Sequence, residues 1–179
     1  MDTTIFYVAL FVHLSCLILG FGSVMVIDTF GLLWLFKKAK MSFIMKVAET
    51  TQKLIWVGWS GMILSGLILI TSKGYVDNLT KIKLFFVLMV GINGILLHRL
   101  KKWSEQIGDN PVPPRLFFRT MLSTAISQTG WWGALLIGFL HRHIEHTITW
   151  PANPYLWMFA IIGIFGAAAI IGETTIKKS

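Results

Sequence analysis

The sequence predicts an all-α protein, a polytopic membrane helical bundle with five transmembrane helices. Five long apolar stretches each reach or approach a length of about 20 residues, which crosses a hydrocarbon core of about 30 Å. Hydrophobic residues make up 55% of the chain and charged residues 13%, and soluble domains usually carry about twice that charge. The connections are too short for a soluble domain. We therefore expect one transmembrane domain over residues 1–179, with helices over about 5–36, 42–72, 81–103, 115–143 and 153–174.

The first apolar stretch is longer than a bilayer requires, so this helix is expected to tilt, to kink or to extend past the membrane surface. No basic segment precedes the stretch, and Lys37 and Lys38 follow it. A cleavable signal has a basic segment in front of a shorter apolar run. We therefore expect the first helix to remain as an anchor.

Polar and proline-containing segments set the limits of the other helices. Residues 41–53 are expected to continue the second helix, because Val47 and Leu54 share a face at helical spacing. The proline-rich run at residues 111–114 stops any helix, so helix four begins after it, and residues 150–154 form a turn before helix five. No internal repeat stands out in this pattern.

The basic residues predict the orientation. Most of the 16 lysine and arginine residues fall in the first connection, the third connection and the C-terminal tail, which lie on one side of a five-helix bundle. The positive-inside rule then places the N-terminus outside and the C-terminus in the cytoplasm of a multi-pass protein of the cell (inner) membrane. Because this distribution explains the net charge of +8, we expect a lipid bilayer as the partner and no nucleic acid.

The predicted helices carry small residues, which allow close helix packing in lipid. Such faces serve contacts within the chain, contacts with a second copy of the chain, or contacts with a partner in a membrane complex. On the second and fourth helices these residues are Gly58, Gly61, Gly66, Gly130, Gly133 and Gly138.

Asp28 is the most costly polar residue within an apolar stretch, since a carboxylate in a bilayer must be paired or protonated. One interpretation is a proton or cation site on the inner side. The other is a carboxylate near a helix end, paired with His98, Arg99 or a nearby lysine.

Two histidines lie within predicted membrane helices. His13 is in the outer half of the first helix, where a histidine can ligate haem iron, bind copper, relay protons or hydrogen-bond a neighbouring helix. His98 lies near the inner end of the third helix. At about 1.5 Å per residue, their depths differ by about 9 Å, which is wide for two axial ligands of one haem, although helix tilt narrows it.

The densest histidine cluster lies at the predicted outer end of helix four. His143 and His146 are spaced i, i+3, and His141 and Glu145 are spaced i, i+4, so each pair meets if the helix continues. Imidazoles with a carboxylate suit copper, zinc or nickel. The cluster therefore predicts a metal site formed by His141, His143 and His146. The alternative is an interfacial turn whose histidines only titrate.

Asn93 and Gln128 are expected at mid-depth, where they either hydrogen-bond across the bundle or line a polar path. Ser123 and Ser127 share a face with Gln128. The chain has no phosphate-binding glycine loop, nucleophile elbow or HExxH motif. No catalytic residue is identified, and the question of enzymatic activity stays open.

Two stretches resemble a known group of membrane proteins. In residues 13–22, HLSCLILGFG, a histidine opens a glycine-containing first helix, and in residues 81–88, KIKLFFVL, lysine heads a third helix that later carries His98. This pairing resembles the superfamily of HemJ-type membrane protoporphyrinogen oxidases and CopD-type copper-resistance proteins. The resemblance implies a small all-helical membrane protein associated with haem.

By this resemblance, His13 corresponds to the first-helix histidine used for haem binding, and Lys81 or Lys83 corresponds to the lysine that heads the third helix. The chain has Asp28-Thr29-Phe30 where the HemJ type has basic and aromatic residues. The oxidase activity is therefore not carried over, and the resemblance implies a divergent relative.

Three functional hypotheses follow. The first is binding of haem b or copper through His13, with His98 or the histidine cluster of helix four as partner and Asp28 as a charge or proton partner. The second is a proton- or ion-coupled transporter or permeation subunit whose polar path includes Asp28, Asn93 and Gln128. The third is a structural subunit of a membrane complex.

Overall fold

The chain folds into five helices, and this computed structural model describes residues 3–36, 38–107, 110–143 and 151–178. The prediction of an all-α fold with five helices is confirmed, and residues 41–53 are part of the second helix. The helices are α1 (Thr3–Leu35), α2 (Met41–Lys73), α3 (Asn78–Ile107), α4 (Pro114–His143) and α5 (Pro154–Lys178).

Among the described residues, four helices are long and apolar enough to cross a membrane. Helix α4 is not one of them, because serines, threonines and a glutamine lower the hydropathy of its central part. The candidate spans are Thr3–Trp34, Met41–Lys73, Asn78–Ile107 and Pro154–Lys177. These four spans are compatible with a multi-pass membrane protein.

Local signals in the sequence determine where the helices begin and end. Pro114 and Pro154 are the first residues of α4 and α5, a position where a missing N–H breaks no helical hydrogen bond. Helix α4 thus begins at the last proline of the run. Asn153 caps α5, because its Oδ1 accepts hydrogen bonds from two N–H groups of the first turn. Helix α2 ends at Lys73 and is capped by Gly74, whose φ of 76° lets its N–H bond to the carbonyl of Ile70.

The chain divides into two compact units, Met1–Val76 and Asp77–Ser179. Unit 1 contains the hairpin of α1 and α2, and unit 2 contains α3, α4 and α5. One domain over the whole chain stays a prediction.

In unit 1, α1 and α2 are antiparallel and approach each other through glycine. A Cβ added at Gly58 would lie 2.6 Å from the backbone nitrogen of Gly20 and 2.7 Å from the carbonyl oxygen of Cys16. The two helix backbones are therefore in contact, and no side chain fits between them. Towards the connection between the helices, the rings of Phe30 and Phe43 pack edge to face with centroids 5.5 Å apart.

In unit 2, α3 and α4 are antiparallel and enclose a small core. Ile82 and Phe86 of α3 and Ala134 of α4 are buried in it, and Met158 and Ile161 of α5 pack against it. Helix α5 therefore completes this core from a third side.

The two hairpins share a short glycine motif. The sequence Gly-Trp-x-Gly, followed five residues later by another glycine, begins at Gly58 in α2 and at Gly130 in α4. In unit 1 the second glycine faces Cys16 and the third faces His13. In unit 2 the second glycine faces Phe86 and the third faces Lys83. Each hairpin thus uses the same glycine spacing to receive its antiparallel partner.

Candidate functional site

His13 is held on α1 by two groups of α2. Its Nδ1 lies 3.1 Å from the carbonyl oxygen of Met62 and 3.1 Å from Oγ of Ser65. The Ser65 hydroxyl donates a hydrogen bond to the carbonyl of Gly61 at 2.6 Å. Because a carbonyl oxygen only accepts hydrogen bonds, the contact with Met62 requires a proton on Nδ1. Helix α2 therefore fixes both the tautomer and the orientation of His13.

Gly66 provides the space beside the ring of His13. A Cβ at this glycine would lie 3.4 Å from Cε1 and 3.7 Å from Nδ1, so an alanine here would be in van der Waals contact with the imidazole. His13 is half-buried, and its neighbours on α1 include the exposed apolar residues Val12 and Leu14. The ring thus combines a fixed position with apolar surroundings.

Asp28 and His98 lie in different units. Asp28 is half-buried on α1 in unit 1, and His98 is exposed in the second half of α3 in unit 2. A haem shared by His13 and His98, and a pair between Asp28 and His98 or Arg99, would both join the two units. These hypotheses stay predictions.

The first residue of the histidine cluster pairs with a carboxylate that the sequence analysis did not identify. Nε2 of His141 lies 3.2 Å from Oδ2 of Asp77, and both side chains are mostly buried. The other oxygen of Asp77 accepts the N–H of Thr80 at 2.7 Å and so caps α3. His141 therefore ties the last turn of α4 to the start of α3.

The other members of the predicted metal site lie outside the described side chains. His143 ends α4, but only its backbone is described, and Glu145 and His146 fall outside the described residues. Over the described part of the chain, no group of three or more His, Cys, Asp or Glu residues could hold a metal ion. A site formed by His141, His143 and His146 stays a prediction.

Asn93 joins α3 to α4 at a buried position. The side chain is 2% exposed, and its Nδ2 donates a 2.7 Å hydrogen bond to the carbonyl of Ser123. Ser127 is buried as well, and Gln128 is half-buried. Asn93 therefore makes the expected hydrogen bond between helices, and its partner is a backbone carbonyl rather than Gln128.

A cluster of three charged side chains links α4 to α5. The Nε groups of Arg115 and Arg119 each donate to a different oxygen of Glu173, at 2.7 Å and 2.5 Å. From the sequence, these two arginines contribute only to the predicted orientation, and their ion pairs with Glu173 are not predicted. The spacing of the arginines and the carboxylate near the end of α5 are visible in the sequence, but the pairing depends on the register of the two helices.

Neither a protein-family model, nor a curated protein, nor a solved structure matches this chain. What can be said of the class of protein rests on the structure. The described residues form an all-α protein with four helices that could cross a membrane. Large apolar side chains on these helices, such as Phe11, Ile18 and Phe159, are more than two-thirds exposed, as lipid-facing residues are.

Proposed function

We propose that this protein binds haem in the membrane, with His13 as an axial ligand of the iron. The observation that carries the proposal is the pair of hydrogen-bond partners at Nδ1 of His13. Histidines that ligate metals almost always donate their second N–H to a carbonyl, carboxylate or water, which fixes the ring and raises the basicity of the ligating nitrogen. The Met62 carbonyl would take this part, and Nε2 would be the nitrogen that holds the iron.

Haem needs fewer protein ligands than copper does. Zinc and copper sites usually take three or more protein ligands. Haem iron already has four ligands from the porphyrin, so one or two axial residues suffice. When bound, haem would supply electron transfer or ligand binding at iron, and the protein would supply a fixed axial ligand in apolar surroundings.

The His13→Ala variant is expected to lose the haem absorbance of the purified protein. The measurement is the Soret band per mole of protein, after purification in detergent and addition of haem. His141→Ala is the matched control, because this imidazole pairs with Asp77, and it should keep the band. An unchanged band in His13→Ala, or none in the wild type, contradicts the proposal.

Ser65→Ala tests the finer assignment. This variant keeps Nε2 but removes one of the two groups that hold Nδ1. Complete loss of such support weakens metal binding by roughly 10–100-fold, and the Met62 carbonyl remains in this variant, so the expected loss is smaller than that. A haem titration of Ser65→Ala should therefore give weaker binding with an unchanged number of sites.

A second candidate function, a proton or ion path, is favoured by Asn93. The Ser123 carbonyl only accepts, so Nδ2 must face it and Oδ1 faces elsewhere. Within the described residues this buried Oδ1 has no hydrogen-bond partner, and buried polar atoms are normally satisfied. Water or a cation in a polar path would satisfy it.

Flux into liposomes that contain the protein tests this candidate. Asn93→Leu is expected to abolish a proton or cation flux, since it removes the buried oxygen. Asn110→Ala, in the connection before α4, should leave the flux unchanged. Equal flux in the Asn93 variant and the wild type would exclude this path.

We also propose that α4 crosses the membrane as a fifth span, with the N-terminus of the chain outside. Helix α4 contacts α3 from Ser123, which bonds Asn93, to His141, which pairs with Asp77. At about 1.5 Å per residue this part of α4 is about 27 Å long, close to the thickness of the hydrocarbon core. Its polar groups at both ends of this contact face α3 rather than lipid, which supports a membrane location despite its lower hydropathy.

Reporter fusions test this topology. Fusions at Ala39 and Asn110 are expected to report the cytoplasm, and fusions at Val76 and Ala152 the outside. A fluorescent protein that folds only in the cytoplasm and a phosphatase that is active only outside give complementary readouts. If α4 does not cross, the fusions at Asn110 and Ala152 will report the same side.

A further inference from the structure

We propose that Arg115 and Arg119, held by Glu173, form a binding site for a phosphodiester monoanion at the basic end of unit 2. In a membrane this anion is the headgroup phosphate of a phospholipid. The proposal is independent of haem binding, because these three residues belong to unit 2 and His13 belongs to unit 1.

The geometry of the cluster orients two guanidinium groups side by side. Arg115 and Arg119 are four residues apart and therefore lie on the same face of α4. Glu173 of α5 accepts the Nε–H of Arg115 on Oε2 and the Nε–H of Arg119 on Oε1. The carboxylate thus offsets the repulsion between two like charges and fixes both side chains.

The arginines keep most of their donors for a further acceptor. A guanidinium has five N–H donors, and in the described part of the chain the bonds to Glu173 use only Nε. The arginine side chains are 45% and 41% exposed, whereas that of Glu173 is 24% exposed. The donors are therefore accessible, with the carboxylate more buried than either arginine.

The charge of the cluster matches a phosphodiester. Two arginines and one carboxylate leave one positive charge, and a phosphodiester has one negative charge. The planar fork of arginine fits two phosphate oxygens at once. Glu173 neutralises only one of the two arginines that it holds, so one positive charge is left for a further anion.

The cluster lies at the level along α5 where a lipid headgroup is expected. Ile170 and Ile171, just before Glu173, are 68% and 65% exposed, as expected for residues that face acyl chains. Lys177, one turn after Glu173, is exposed at the basic end of the helix. At Gly172 the two helices are so close that an added Cβ would overlap the ring of Phe118. The cluster therefore lies on the boundary between apolar and basic surface.

Retention of lipid by the purified protein tests the proposal. Native mass spectrometry is expected to show one retained phosphatidylglycerol on the wild type and no retained diacylglycerol, which lacks the phosphate. The double variant Arg115→Gln/Arg119→Gln should retain about tenfold less phosphatidylglycerol, since it lacks both guanidinium forks. The matched control Arg99→Gln/Lys102→Gln, which removes two exposed charges from the same end of unit 2, should retain it as the wild type does.

A second variant separates geometry from charge and guards against misfolding. Arg115→Lys/Arg119→Lys keeps both charges but lacks the fork, and it should also lose the lipid while its thermal unfolding in lipid-free detergent stays near that of the wild type. Equal losses in the glutamine double variant and in the matched control would reduce the effect to general electrostatics and overturn the proposal. Binding of inorganic phosphate to the wild type without lipid retention would overturn the phospholipid as the source.

Discussion

Replacing Gly58 by alanine is expected to separate α1 from α2 and to lower the free energy of unfolding of unit 1 by about 3 kcal/mol, the upper end of the usual cost of overpacking. The new Cβ would lie 2.6–2.7 Å from atoms of Gly20 and Cys16 that belong to the backbone. No rotamer change can relieve such contacts, so a whole helix must move. Helix association in lipid depends on close packing rather than on the hydrophobic effect, and the movement therefore weakens the contact along the hairpin.

Gly22→Ala is the matched control for this prediction. Gly22 lies on α1 near the contact, but a Cβ there would meet no atom within 4 Å. Alanine in a helix interior is favoured over glycine by roughly 0.5–1 kcal/mol, so this variant should be as stable as the wild type or more so. Unfolding in mixed micelles of increasing SDS content, followed by tryptophan fluorescence, measures both variants. Similar losses in the two would contradict the backbone contact at Gly58.

The helices were predictable because a bilayer constrains only the length and the apolar composition of a segment that crosses it. Crossing a hydrocarbon core requires length and apolar composition, and both are visible without knowledge of any contact. The proline runs before α4 and α5 likewise act locally, as Pro114 and Pro154 illustrate. Helix α4 is the instructive case, because it carries the polar groups that bond to α3 and α5. Its composition therefore indicates neighbouring helices as much as it indicates lipid.

The shared glycine motif could not be interpreted from the sequence, because its spacing has meaning only once the register of each hairpin is known. Glycine is common in membrane helices, so Gly58 and Gly130 do not stand out in the sequence, and the tryptophan after each adds little information. Once the partners are known, the equivalence is clear, since the third glycine of each motif faces His13 in one hairpin and Lys83 in the other.

The candidate site was predictable at the level of residues but not of partners. His13 was singled out because a histidine within an apolar stretch is costly and therefore informative. Its tautomer depends on the carbonyl of Met62, which no spacing rule connects to residue 13. The sequence likewise offered Glu145 as a helical neighbour of His141, whereas the observed partner Asp77 comes from the start of another helix.

Alanine substitutions at Phe86 and Gly133, made singly and together, are expected to show that the Phe86 ring fills the space beside Gly133 in unit 2. A Cβ at Gly133 would lie 2.6–2.7 Å from the ring of Phe86, a ring that is buried in the core of the unit. Gly133→Ala alone should cost about 1–3 kcal/mol by overpacking. Phe86→Ala alone should cost about 3 kcal/mol, the lower end of the range for a buried phenylalanine. The cost lies at this end because the unfolded segment stays in lipid, so unfolding does not transfer the phenylalanine side chain to water.

The double variant Phe86→Ala/Gly133→Ala decides the question, because the new methyl group then enters the volume that the ring has left. Its loss of stability should be smaller than the two single losses added together, by about 1 kcal/mol, which is within the range for residues in contact. Gly138→Ala provides the control, since its Cβ would meet only the flexible end of Lys83, 3.5 Å away. Combined with Phe86→Ala, it should show additive effects in the same SDS titration. Additivity in both pairs would mean that the ring does not occupy the space at Gly133, and the close approach of α3 and α4 would then lack its central contact.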